Sequence, residues 1–145
     1  MKREPSAHFS KPKEKTEAIM TKQFFAYSTG LTAVAAVVGA TATDVISIQQ
    51  DANFELQYLT YSAEQASLLV LNWAGLVQID DSGAGRTFFD QAIPINCIAG
   101  TGAQPFVFLT PRLVQAGSSL TVTFTNRVAT ATTVNLILVG YKLYE

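Results

Sequence analysis

Ser119-Leu120-Thr121-Val122-Thr123-Phe124-Thr125-Asn126 is the stretch on which the reading of this chain turns. Leu120, Val122 and Phe124 alternate with Thr121, Thr123 and Thr125. A two-residue period places every large apolar side chain on one side and every hydroxyl on the other. β-Branched and aromatic residues favour an extended backbone, so the stretch predicts a strand with one buried and one wet face. Downstream, Thr132 to Tyr144 predicts a second long strand, more apolar on both of its faces.

Upstream the same signals recur in shorter form. Ile46 and Ile48 alternate with Ser47 and Gln49, while Phe54 and Leu56 have one parity and Leu59 and Tyr61 the other. That change of parity predicts a bulge or bend near Tyr58. Residues 67–79 read as one further strand carrying the lone Trp73, and two short β segments are expected around residues 31–38. Breakers separate these runs: Asp51-Ala52-Asn53, Asp80-Asp81-Ser82-Gly83-Ala84-Gly85, Gly100-Thr101-Gly102, Pro111-Arg112 and Ala116-Gly117-Ser118. Short strands without intervening amphipathic helices predict an all-β fold, a single β-sandwich of jelly-roll or Greek-key type. An immunoglobulin-type sandwich is the competing topology.

Charge divides the chain of 145 residues into two parts. Residues 1–22 hold six of the ten basic residues, Lys2, Arg3, Lys11, Lys13, Lys15 and Lys22, against Glu4, Glu14 and Glu17, a net charge of +3. With Pro5, Pro12 and few large apolar residues, this segment is read as a flexible basic arm, either a solvated tail or a segment that orders on a partner. Residues 23–145 are read as the sandwich domain, long enough for one sizeable core. Hydrophobic residues make up 48% of the chain and charged residues only 14%, which predicts that neighbouring chains cover part of the surface. The overall charge of −1 supplies no general attraction to nucleic acid.

Residues 24–42 approach the length of a bilayer span, but Ser28, Thr29, Gly30, Thr32, Gly39 and Thr41 interrupt them, and no membrane association is expected. The mixed-charge N-terminus does not read as a secretory signal, so folding is placed in a reducing cytoplasm.

Reactive chemistry is sparsely provided for. His8 is the sole histidine and falls in the arm, which leaves a Ser-His-Asp arrangement without its base and zinc without an imidazole cluster. Cys97 is the sole cysteine and, flanked by Asn96 and Ile98 in an apolar run, is expected to be buried and reduced. Asp80 and Asp81 read as turn residues, and Gly83-Ala84-Gly85-Arg86 lacks the Gly-Lys-Ser/Thr of a phosphate loop. No catalytic residue, cofactor site or metal site is therefore expected. Trp73, Tyr58, Tyr61, Phe88 and Phe89 are candidates for stacking on a sugar or base, and Arg86, Phe88, Phe89, Arg112 and Arg127 are candidate subunit contacts.

Several stretches in order resemble one family. Asp81-Ser82-Gly83-Ala84-Gly85-Arg86, Ala92-Ile93-Pro94-Ile95, Gly100-Thr101-Gly102-Ala103-Gln104-Pro105-Phe106 and the strand Ser119–Asn126 resemble the decoration, or cement, proteins of tailed-bacteriophage heads. The resemblance spans residues 27–144 and omits the arm. It implies a jelly roll that forms trimers or dimers on the outer capsid surface, contacts the major capsid protein and clamps neighbouring capsomers, on a virion assembled in a host cytoplasm. It carries no active site with it. A carbohydrate-binding sandwich on a virion or cell surface is the alternative function.

Overall fold

Where large apolar residues alternate with Thr, Ser or Gln, the backbone extends and pairs. The computed structural model describes residues 20–145. Among them the strands are β1 (Thr21–Ser28), β2 (Thr32–Val34), β3 (Thr41–Ser47), β4 (Asn53–Gln65), β5 (Leu68–Val70), β6 (Gly75–Asp81), β7 (Arg86–Thr87), β8 (Ile93–Pro94), β9 (Phe106–Val114), β10 (Ser119–Asn126) and β11 (Thr132–Tyr144). All named strand pairings are antiparallel, and they form two sheets. The first runs β1-β11-β4, with β5 and β9 both on the far side of β4 and β2 beside β11; the second runs β3-β10-β6, with β7 and β8 on the far side of β6.

The alternation in β10 does what its pattern predicts. Leu120, Val122 and Phe124 are completely buried and point at the first sheet, where Phe54, Leu56, Leu59, Leu136 and Leu138 are also completely buried. The chain is thus an all-β sandwich with its core between the sheets. On the wet side, Thr43 of β3 and Thr123 of β10 stand opposite one another with hydroxyl oxygens 3.3 Å apart. The expected bulge is present: Tyr58 pairs with Val139 but Leu56 pairs with Gly140, which leaves Gln57 as the extra residue.

Three expectations are corrected. Residues 67–79 are not one strand. The chain turns back at Ala66 and Ser67, which have φ of 50° and 63°, forms the short β5, and then crosses to the second sheet before β6. Trp73 fills the crossing, buried in edge-to-face contact with Phe124 at 6.3 Å. In place of two short β segments around residues 31–38 there is one, β2, followed by a bend. Finally, the sheet begins at Thr21, so the boundary drawn after residue 22 falls inside β1 and Lys22 belongs to the sandwich.

A polar lock closes one end of the sandwich. Lys142 of β11 is directed inward, 3% exposed, with its ammonium 4.2 Å from the Phe25 ring centroid. It donates to Gln49 and, at 3.0 Å, to Asp51; the Tyr144 hydroxyl donates to the same carboxylate at 2.9 Å. The hydrogen bonds from Lys142 and Tyr144 hold the Asp51 carboxyl below its usual range. Burial alone would pull the Lys142 ammonium down, but the hydrogen bond to Asp51 and the nearby Tyr27, Asp51 and Tyr144 outweigh it and raise its pKa.

A depressed carboxylate adds stability above its unfolded pKa and loses it as pH falls through the folded one; a raised lysine adds stability below its unfolded pKa and loses it as pH rises through the folded one. The lock is therefore strongest between the carboxylate and lysine ranges. Comparing melting temperatures of the wild type and Lys142→Met across pH should show a gap that is widest near neutrality and narrows at both extremes. A gap independent of pH would refute the ionic account.

Candidate protein-interaction surface

Strand β11 explains why the first sheet has an unusual outer face. Val134, Leu136 and Leu138 point into the core, and the intervening Ile137, Val139 and Tyr141 must then point outward. Neighbouring strands add to them in register. Ala26 of β1, Val139 of β11, Tyr58 of β4 and Val107 of β9 form one cross-strand row, and Phe24, Tyr141, Glu55 and Leu113 form the next. Phe24 is 62% exposed, Val107 57% and Leu113 55%. Phe24 and Tyr141 meet edge to face at 6.2 Å, and the band holds a groove of about 220 Å³. The single charge in these rows, Glu55, is taken up by Lys22 at 3.2 Å and by Gln57. An apolar band crossing four strands is the kind of surface that monomeric proteins seldom leave to water.

Beside the band, β9 swings outward. Between the pairs Leu56–Arg112 and Tyr58–Val107, β9 carries Phe108, Leu109, Thr110 and Pro111 opposite the single Gln57. Proline is tolerated there because the strand is at the sheet edge and the ladder is already broken. Leu109 projects fully into solvent.

This excursion builds a cleft of about 340 Å³ with Phe88, Phe89, Phe108, Thr110, Pro111 and Arg112. The Arg112 guanidinium stacks 3.9 Å from the Phe88 centroid and donates to the Thr87 carbonyl at 3.4 Å, while Phe88 and Phe89 are edge to face at 6.2 Å. Stacking desolvates one face of the guanidinium and fixes the plane of its remaining donors, the arrangement suited to a carboxylate on a partner.

Of the residues singled out from sequence as subunit contacts, Phe88, Phe89 and Arg112 are thus brought together. Arg86 lies nearby in β7, paired with Asp81, and is exposed. Arg127 is not part of the group: it follows Asn126, which pairs with Gly75 at the opposite end of the second sheet. Among the arm residues, Lys22 is committed to Glu55 in the sheet, and Lys2, Arg3, Lys11, Lys13, Lys15 and His8 lie outside the described residues.

Trp73 and Tyr61 are buried, so neither offers a ring face for stacking. Cys97, expected to be buried, is exposed. It sits in a 3-10 turn, Ile95–Cys97, whose three-residue period sends Ile95 and Ile98 into the core and leaves Asn96 and Cys97 outside. Asp81 is buried and accepts hydrogen bonds from the backbone of Gly83 and Ala84 at 2.9 and 3.3 Å, a turn role. Among the described residues no three His, Cys, Asp or Glu side chains gather as a metal site, and no helix is long and apolar enough to cross a membrane.

Sequence reasoning misses the apolar band. Its one legible signal is the two-sided apolarity of β11; the other contributors come from β1, β4 and β9, far apart in the chain. No protein-family model, curated protein or solved structure matches this chain.

Proposed function

We propose that this chain is a structural assembly protein, not an enzyme, that associates with copies of itself as a trimer or dimer and attaches to a larger protein shell. The observation that carries this reading is the apolar band of exposed Phe24, Tyr141, Val107 and Leu113, with half-buried Tyr58 and buried Val139 between them, across the outer face of one sheet. Buried against a second surface, such a band removes apolar area from water and supplies the central contacts of an interface, with the Lys22–Glu55 pair close by as a polar element.

The decoration proteins that the turns resemble give the reading its particular form. Here the shell is a phage capsid, the partner its major capsid protein, and the location the outer surface of the virion. The strand order supports the jelly-roll part of that reading. Successive strands β3, β4, β6, β9, β10 and β11 alternate between sheets, except where the short β5, β7 and β8 extend a sheet, and the resulting orders β1-β11-β4-β9 and β3-β10-β6-β7 match those of two interlocked Greek keys. Bridging is mechanically useful in such a shell. Two capsomers held by one oligomer separate only if the oligomer's own contacts break, and several weak contacts then act at high effective concentration.

The test is attachment. Full-length chain mixed with capsids of the same source that lack it should co-sediment with them and raise the temperature at which they release DNA. A chain lacking residues 1–19 should keep the β-sheet circular dichroism spectrum of the whole but bind at least tenfold more weakly, because the mixed-charge segment is assigned to the shell. Failure of the full chain to co-sediment would remove the capsid reading.

A further inference from the structure

A second cleft has a different chemistry. It occupies about 280 Å³ where the loop before β9 passes over the end of β4, and its polar lining comes from Tyr61, Asn72, Asn96, Thr101 and Gln104, with Phe106 on its rim. Every lining side chain is uncharged. Amide groups present a donor and an acceptor side by side, and hydroxyls serve as either. Together they match a ligand that carries adjacent hydroxyl groups and no net charge. Phe106 is 45% exposed, held edge to face with Phe108 at 6.3 Å, and offers its apolar ring beside the polar groups.

The walls are set in place before any ligand arrives. The Asn96 amide donates to the Trp73 carbonyl at 3.2 Å and its oxygen accepts from the Tyr61 hydroxyl, which fixes the amide's orientation and leaves its second N–H free. The loop is tied to β4 by Tyr61 N–H to Gly100 O at 3.0 Å and Gly100 N–H to Leu59 O at 3.1 Å. A side chain at Gly100 would run into the backbone of residues 104–106, so the close approach that shapes the cleft requires glycine. Thr101 accepts from the Gln104 backbone N–H at 3.2 Å, which leaves its hydroxyl proton available. Preorganised donors beside an exposed aromatic ring are the elements of polyol recognition, since the ring covers a sugar's apolar C–H face while amides bridge its hydroxyls.

We propose that this cleft binds a neutral pyranose unit of a glycan. Phe106 and the band residue Val107 are successive in β9 and point to opposite faces, so the site stands or falls independently of shell attachment. It gives a capsid-bound protein a second contact, with a sugar-coated surface.

The full-length protein, fluorescently labelled on lysine, is applied to an array bearing neutral bacterial polysaccharide fragments, neutral protein-linked glycans, and sialylated or sulfated glycans. Retention on a neutral set is expected, and which of the two neutral sets retains it identifies the source. Phe106→Ala should weaken retention at least tenfold, and Gln104→Ala or Asn72→Ala severalfold; all three positions are exposed, so folding is preserved and is checked by circular dichroism. Thr123→Ala, on the wet face of the other sheet, should leave retention unchanged. The proposal is overturned if the wild type is retained on no glycan, if it prefers the charged glycans, or if folded Phe106→Ala binds as well as the wild type.

Discussion

Gly140→Ala will destabilise the sandwich by about 3 kcal/mol or more, a large share of the roughly 5–15 kcal/mol that holds a domain of this size together. Gly140 sits at the bulge: β11 pairs Val139 with Tyr58 and Gly140 with Leu56, and β4 accommodates the extra Gln57 by bending toward it. The bend brings backbone into the space a side chain would need. A Cβ at Gly140 would overlap the Glu55 carbonyl oxygen and stand 2.9 Å from the carbonyl carbon and 3.1 Å from the Leu56 Cα.

None of these atoms can swing away as a flexible side chain could, because Gly140 also pairs with Phe25 of β1 and any shift of β11 strains three strands together. Gly102→Ala is the matched control, since a Cβ there meets nothing within 4 Å and the change should stay within about 0.5 kcal/mol. Urea denaturation of the two variants measures the contrast. A Gly140→Ala protein as stable as Gly102→Ala would mean that the bulge is soft and the register of β4 against β11 is not fixed by it.

The sequence itself carries part of that register, because a change of parity between Leu56 and Leu59 in a run of otherwise alternating residues leaves no other way to keep both in the core. The long strands β10 and β11 are legible for the same reason: period-two patterns over eight or more residues have few competing explanations. Legibility fails where that pattern fails. In β1, Phe24 faces out while Phe25 and Tyr27 meet each other and the core, so the run reads as uniformly apolar and its polar start, Thr21 and Lys22, as arm. In residues 67–79, the apolar residues continue while the chain passes from one sheet to the other, and composition records no such crossing. The exposure of Cys97 escapes sequence reasoning because its place in an apolar run suggests burial, whereas the local period of three turns it outward. The cleft around Arg112 depends on contacts between β9 and the segment after β7, over twenty residues apart, and only the fold brings Phe88 under the guanidinium.

The double substitution Phe24→Asp with Val107→Asp should prevent the proposed self-association and abolish attachment to the proposed shell. Both side chains are more than half exposed in the single chain and neither belongs to the core, so the sandwich should fold with its stability changed by no more than about 1 kcal/mol. An interface that closes over them would bury two carboxylates with no cation in register. Among the described residues, Lys22, two positions before Phe24 on the same face of β1, is already held by Glu55. An unpaired buried charge costs several kcal/mol, so association should weaken by at least about a hundredfold.

Sedimentation velocity at micromolar concentration gives the oligomeric state directly. Thr123→Asp, a comparable charge on the wet face of the other sheet, should leave both self-association and attachment as they are. The outcome that defeats the argument is equally specific. If the wild type sediments as a monomer and binds no shell, or if the double variant assembles as the wild type does, the apolar band between β1 and β9 is not where this protein meets its partners.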